Sequence, residues 1–87
     1  MEVYAAIEDS IRTDARMLDR AEGVLVALRR CTIDAAFDEI VGASKRHRVP
    51  TLRIARALVA LAENSALDGD SEATAAAGRE WGSLFES

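Results

Sequence analysis

Leu18–Ile40 reads LDRAEGVLVALRRCTIDAAFDEI, and its spacing decides the fold. Leu18, Ala21, Leu25 and Leu28 recur every three or four residues and make one apolar helix face. The pattern stops at Cys31-Thr32 and restarts with Ala36, Phe37 and Ile40. Two amphipathic helices joined by a short corner give that signature. Thr32 is a good N-cap for the second helix, and Asp34 then sits in the first turn, where a carboxylate meets the positive end of the helix dipole.

Outward from this stretch the helical pattern continues on both sides. Upstream, Tyr4, Ile7, Ile11, Leu18, Ala21, Leu25 and Leu28 keep a 3-4-3-4 spacing with Asp14 as the one polar member, a heptad seam. The first helix is therefore expected from about Glu2 to Leu28. Downstream, Ala36, Phe37, Ile40, Val41 and Ser44 continue the second helix, which loses its apolar face at Lys45-Arg46-His47-Arg48. Pro50 disfavours helical geometry at Val49, so the boundary falls there. A third helix starts around Pro50 or Thr51, with a stripe of Leu52, Ala55, Leu58, Val59 and Ala62, and ends at Asn64-Ser65. Asp70 or Ser71 is placed to cap a short fourth helix through Ala75–Ala77. Trp81, Leu84 and Phe85 follow it, and the pattern leaves open whether they fold back on the bundle.

The expected fold is all-α: a three-helix bundle with a long N-terminal helix and room for a short C-terminal fourth helix. Residues 1–16 form an N-terminal helix extension, 17–65 the bundle and 66–87 an acidic, partly helical tail. Phe37 is the expected central core residue, surrounded by Leu25, Leu28, Ile40 and Leu58. The minimal side chains of Ala21 and Gly23 are expected to admit a neighbouring helix.

With 87 residues the chain makes one small domain, and 49% hydrophobic against 5% aromatic residues implies a core of Ala, Val, Leu and Ile. The net charge of -4 hides a strong asymmetry. Residues 29–56 carry seven cations against three carboxylates, whereas 63–87 carry one cation against six. The middle is suited to a polyanion and the tail is not. Cys31 is the one cysteine, so no intrachain disulfide forms and a reduced, cytoplasmic setting fits. No apolar run approaches the ~18–20 residues needed to cross a bilayer, and MEVYAAIEDS does not read as a signal peptide.

Nothing in the pattern supports catalysis or a cofactor. His47 is the one histidine and has no ligand partners at metal-site spacing. Cys31 and His47 flank the second helix at opposite ends, and ~16 helical residues separate them by ~24 Å, too far for a catalytic pair. Asp34, Asp38 and Glu39 read as solvated charges. There is no glycine-rich phosphate cradle.

Two features carry function. The first is the basic set Arg29, Arg30, Lys45, Arg46, His47, Arg48, Arg53 and Arg56, the candidate RNA-binding residues. Lys45 and Arg48 share a face at the end of the second helix, and Arg53 and Arg56 share one on the third. Such cations grip phosphates in a salt-sensitive way, and His47 is suited to stack on an unpaired base. Equally, cations at a helix C-terminus complement the dipole and keep a surface solvated. The second feature is the seam Tyr4, Ile7, Ile11 and Leu18, which is suited to a homodimer, Asp14 fixing its register. Cover by Trp81, Leu84 and Phe85 of the same chain is the competing arrangement.

The ordered blocks resemble the ANTAR domain, an RNA-binding module of bacterial transcription antitermination regulators. Ala21-Glu22-Gly23-Val24-Leu25-Val26 is similar to that family's Ala-Lys-Gly-aliphatic-Leu-Met block. Cys31-Thr32 fits its linker and cap, Ala36-Phe37 with Ile40 its second block, and Leu52 with Ile54-Ala55 its third. The resemblance covers roughly residues 17–62. Glu22 stands where the family has lysine, and Val41 where it has arginine. The resemblance implies a non-enzymatic regulator that binds hairpins in nascent leader RNA and prevents terminator formation. It also implies a sensor, which here would be a separate protein. The alternative is an ANTAR-like bundle without RNA binding that serves as a protein-interaction or dimerisation module. A helix-turn-helix reading for DNA ranks lowest, because the corner at Arg48-Val49-Pro50 lacks the usual glycine.

Overall fold

The computed structural model describes residues 2–65 and 70–86, with side chains described from residue 11 onward. Four helices follow one another: α1 (Glu2–Arg29), α2 (Ile33–His47), α3 (Thr51–Ala62) and α4 (Ser71–Trp81), with a 3₁₀ segment (Gly82–Phe85) after α4. The all-α expectation holds, and the fourth helix is a full member of the bundle.

Local chemistry sets each boundary. Thr32 has extended backbone (φ -78°, ψ 163°) and its Oγ1 accepts from the Ala35 N–H at 3.0 Å. Asp70 caps α4 in the same way, accepting from the Ala73 N–H at 3.2 Å. Pro50 occupies the cap position of α3 and supplies no side-chain bond. The first three helices each end on a left-handed residue that is not glycine: Arg30 (φ 54°), Arg48 (φ 55°) and Asn64 (φ 55°). At α2 the Arg48 and Val49 N–H groups both turn back to the Ser44 carbonyl, and Val49 is buried beneath the corner. Such an apolar anchor commonly accompanies a C-terminal cap of this kind, and it holds the corner closed without a glycine.

The core joins Ala21 and Leu25 of α1, Ala36, Ile40 and Ala43 of α2, Ile54, Ala55 and Leu58 of α3, and Ala73, Ala77 and Trp81 of α4. α3 packs on both α1 and α4 and buries Ile54, Ala55 and the run Ala57–Ala60, while Arg53 and Arg56 keep one side polar.

Two expectations about packing are corrected. Phe37 is not the central core residue: it is 42% exposed, and Leu28 beside the same corner is 40% exposed. The inward meridian of α2 is Ala36–Ile40–Ala43, and Phe37 lies one residue, about 100°, away from Ala36. The large aromatic at the centre is instead Trp81, fully buried and delivered by α4. Nor does Gly23 admit a neighbouring helix, since a Cβ added there meets nothing within 4 Å. Ala21, fully buried, does make the close approach. Gly23 thus carries the helix-interior cost of glycine without compensation. Gly23→Ala is expected to stabilise the domain by about 0.5–1 kcal/mol, read as a higher midpoint in urea.

Of the proposed dimer seam, Ile11 is 62% exposed, and Leu18 packs half-buried against the core. The side chains of Tyr4 and Ile7 lie outside the described residues. Among the described residues no helix is long and apolar enough to cross a membrane.

Candidate nucleic-acid interface

The basic set is spread over three elements: Arg29 and Arg30 at the end of α1, Lys45 to Arg48 at the end of α2, where they point to different flanks, and Arg53 and Arg56 on α3. One flank, running through Glu39 and Arg46, faces α4, because those residues are seven apart and lie on one side of the inward meridian. Arg46 grips Glu80 with two bonds, Nε to Oε2 at 3.0 Å and Nη2 to Oε1 at 2.6 Å. His47 Nε2 donates to Glu80 Oε2 at 2.8 Å. At the other end of α4, Arg53 holds Asp70 with two bonds of 2.9 and 2.5 Å, and reaches Glu72 at 3.3 Å. Glu39 Oε2 accepts from the buried Trp81 Nε1 at 2.7 Å and from Arg29 Nε at 2.8 Å. Four members of the set, Arg29, Arg46, His47 and Arg53, are therefore already matched to carboxylates. Arg56 is exposed, and its charge acts on Asp70.

These pairs move the acids as geometry requires. The Arg53 guanidinium, with the Ala73 N–H, holds the Asp70 carboxyl down at about 2, well below its ordinary 3.8. Bonds from Arg46 and then His47 lower Glu80 against the opposing effect of burial. A lowered acid adds stability above its ordinary pKa and loses it as pH falls through the folded-state value. The α4 anchorage is thus present at neutral pH and lost on acidification from about 4 towards 2. Asp70→Asn keeps a good cap but not the ionic pair. It is expected to lower stability at pH 7 and to flatten the acid limb, read in urea melts at several pH values by fluorescence of Trp81, the one tryptophan.

The opposite flank is different. Phe37, Val41 and Lys45 are spaced four apart and form one stripe, and Arg48, the left-handed cap residue, follows just past the end of the helix, off the helical spacing that would have put it on one face with Lys45. Phe37 is 42% exposed, and Lys45 and Arg48 are exposed with no ion pair among the described residues. Ser44 lies beside the stripe and donates Oγ to the Val49 carbonyl at 2.5 Å, while Thr51 Oγ1 donates to Ser44 Oγ at 3.2 Å. This small network holds the corner that carries Arg48. Arg30, also exposed and without an ion pair among the described residues, stands at the α1–α2 corner. An aromatic face beside unpaired cations can stack a base and hold its phosphates.

Glu22 is buried on α1, its carboxyl raised by desolvation and then by the charges of Asp19 and Asp34. Cys31 is half-buried and donates Sγ to the Leu25 carbonyl at 3.7 Å, a structural contact. Among the described residues no three acidic, His or Cys side chains converge as a metal site would require.

Phe37 is legible in the sequence as an aromatic but not as a surface one. The roles of Glu80 and Asp70 as partners of the basic set also escape the pattern. Their only local signal is the cap at Asp70.

In class this is a small all-α bundle with a partitioned charged surface. The ANTAR domain model matches residues 12–59, from the middle of α1 to near the end of α3, and the chain belongs to that family of RNA-binding antitermination regulators. The family is regulatory, not enzymatic. No curated protein and no solved structure matches the chain.

Proposed function

We propose that this chain binds RNA hairpins and regulates transcription antitermination through the Phe37–Val41–Lys45 stripe of α2 and Arg48 beyond it. The observation that carries the reading is the exposed aromatic on one face with exposed Lys45, with exposed Arg48 just past the helix end, inside the span that matches the family. Phe37 stacks an unpaired loop base, and Lys45 and Arg48 hold the flanking phosphates, a division of labour common in single-strand and loop recognition. Val41, where the family resemblance expects arginine, makes the centre of the stripe apolar, so the grip is concentrated at its C-terminal end. Arg30 adds charge at the far corner. RNA selection with the purified chain tests this: enriched hairpins whose binding weakens steeply with salt support it, and a pool that never enriches refutes it.

A second reading, dimerisation through the first half of α1, is favoured by Ile11, 62% exposed on a heptad seam. The two readings are compatible, since the seam lies N-terminal to the stripe's helix. Light scattering tests the seam: a dimer that becomes a monomer in Ile11→Asp supports it, and a monomeric wild type refutes it.

A further inference from the structure

α4 lies beyond the matched span of 12–59, yet its carboxylates occupy the very cations that a basic flank would offer to RNA. Glu80 takes Arg46 and His47, and Asp70 takes Arg53, each arginine through two parallel bonds. Such fork-to-carboxylate geometry is what a phosphate would otherwise receive. Resting on the RNA reading above, we propose that α4 is a built-in charge mask: Asp70 and Glu80 stand in for phosphates and confine the RNA footprint to the Lys45–Arg48 flank.

The mask is fixed and not a detachable strap. Trp81 is fully buried in the core, its indole N–H satisfied by Glu39, and Ala73 and Ala77 are fully buried on the same helix. Glu80 adjoins Trp81, and Asp70 is the cap of α4, so packing and capping place both carboxylates over α2 and α3. Arg46 itself stays accessible, its side chain 56% exposed, so it is withheld from RNA by its partner and not by burial.

The test is a cycle on the full chain with a labelled RNA stem-loop taken from the selection. Asp70→Asn with Glu80→Gln removes the charge of both bidentate partners and keeps their shape, leaving only the longer 3.3 Å contact of Arg53 with exposed Glu72. Glu63→Gln with Glu86→Gln removes the same charge from exposed residues that have no ion pair among the described residues. The unmasked variant is expected to bind several-fold tighter than this control. Its log K against log salt should steepen by about 0.7–0.9 per freed cation. Adding Arg46→Ala and Arg53→Ala to the unmasked variant should abolish that gain. A gain no larger than the control's, or a gain that survives Arg46→Ala with Arg53→Ala, overturns the mask. Melting of each variant by circular dichroism confirms that the bundle is retained. If neither wild type nor unmasked variant binds RNA, the RNA reading falls. Elution from heparin then judges the mask alone: later elution than the control sustains it, and equal elution overturns it.

Discussion

Trp81→Ala is expected to bring the domain to the edge of unfolding. Trp81 is the largest fully buried side chain among the described residues and sits at the centre of the core. Truncating a buried aromatic to alanine costs about 3–5 kcal/mol, since the transfer energy is lost and the cavity collapses only in part. Its indole N–H also satisfies Glu39, which would keep only Arg29 as a partner. At ~0.05–0.15 kcal/mol per residue, a domain of this length holds only about 4–13 kcal/mol in total. Urea melts followed by circular dichroism should show a midpoint far below the wild type, or no folded baseline. Trp81→Phe keeps most of the volume and loses the N–H, so a smaller loss of about 0.5–1.5 kcal/mol is expected, the net worth of one hydrogen bond, since Glu39 is part-exposed and keeps Arg29. Were residues 70–86 a loosely attached tail, Trp81→Ala would melt like the wild type.

The second large effect concerns binding. Phe37→Ala is expected to weaken RNA binding by about 1–3 kcal/mol, roughly 5- to 150-fold, the worth of one base stacked on an aromatic face. Its stability cost should fall well short of that of Trp81→Ala, because much of the ring already faces solvent. The contrast between the two aromatics is diagnostic: one variant loses the fold, the other loses the ligand. A Phe37→Ala variant that bound RNA as the wild type does would remove Phe37 from the interface.

The two aromatics also mark the limit of what the sequence makes legible. Apolar spacing, the Thr32 cap and Pro50 place α1 and α2 to within about two residues, because N-caps, proline and apolar spacing are local and each acts on the residues beside it. Thr32 and Asp70 are both recognisable as caps for that reason. What fills the space between helices is not local. Ala36, not Phe37, faces inward because α1 and α3 approach α2 closely, and the room for an aromatic is taken by Trp81, more than forty residues away. The same limit applies to the basic set. Spacing places Arg53 with Arg56 on a common face, Arg48 leaves the helical path at its left-handed cap, and only the docking of α4 decides which cations meet carboxylates. The acidic character of residues 63–87 is visible as composition, and its ion pairs across α2 and α3 are not.

The central claim is that RNA is held by the flank of α2 facing away from α4. One titration tests it most directly: stem-loop affinity against salt for the wild type and for Lys45→Ala with Arg48→Gly. Glycine suits the left-handed backbone at position 48, so this variant should fold at least as well. The expected result is weaker binding and a slope of log K on log salt shallower by about 1.4–1.8, the change for two phosphates no longer neutralised. Unchanged affinity and slope in a folded variant would contradict the account.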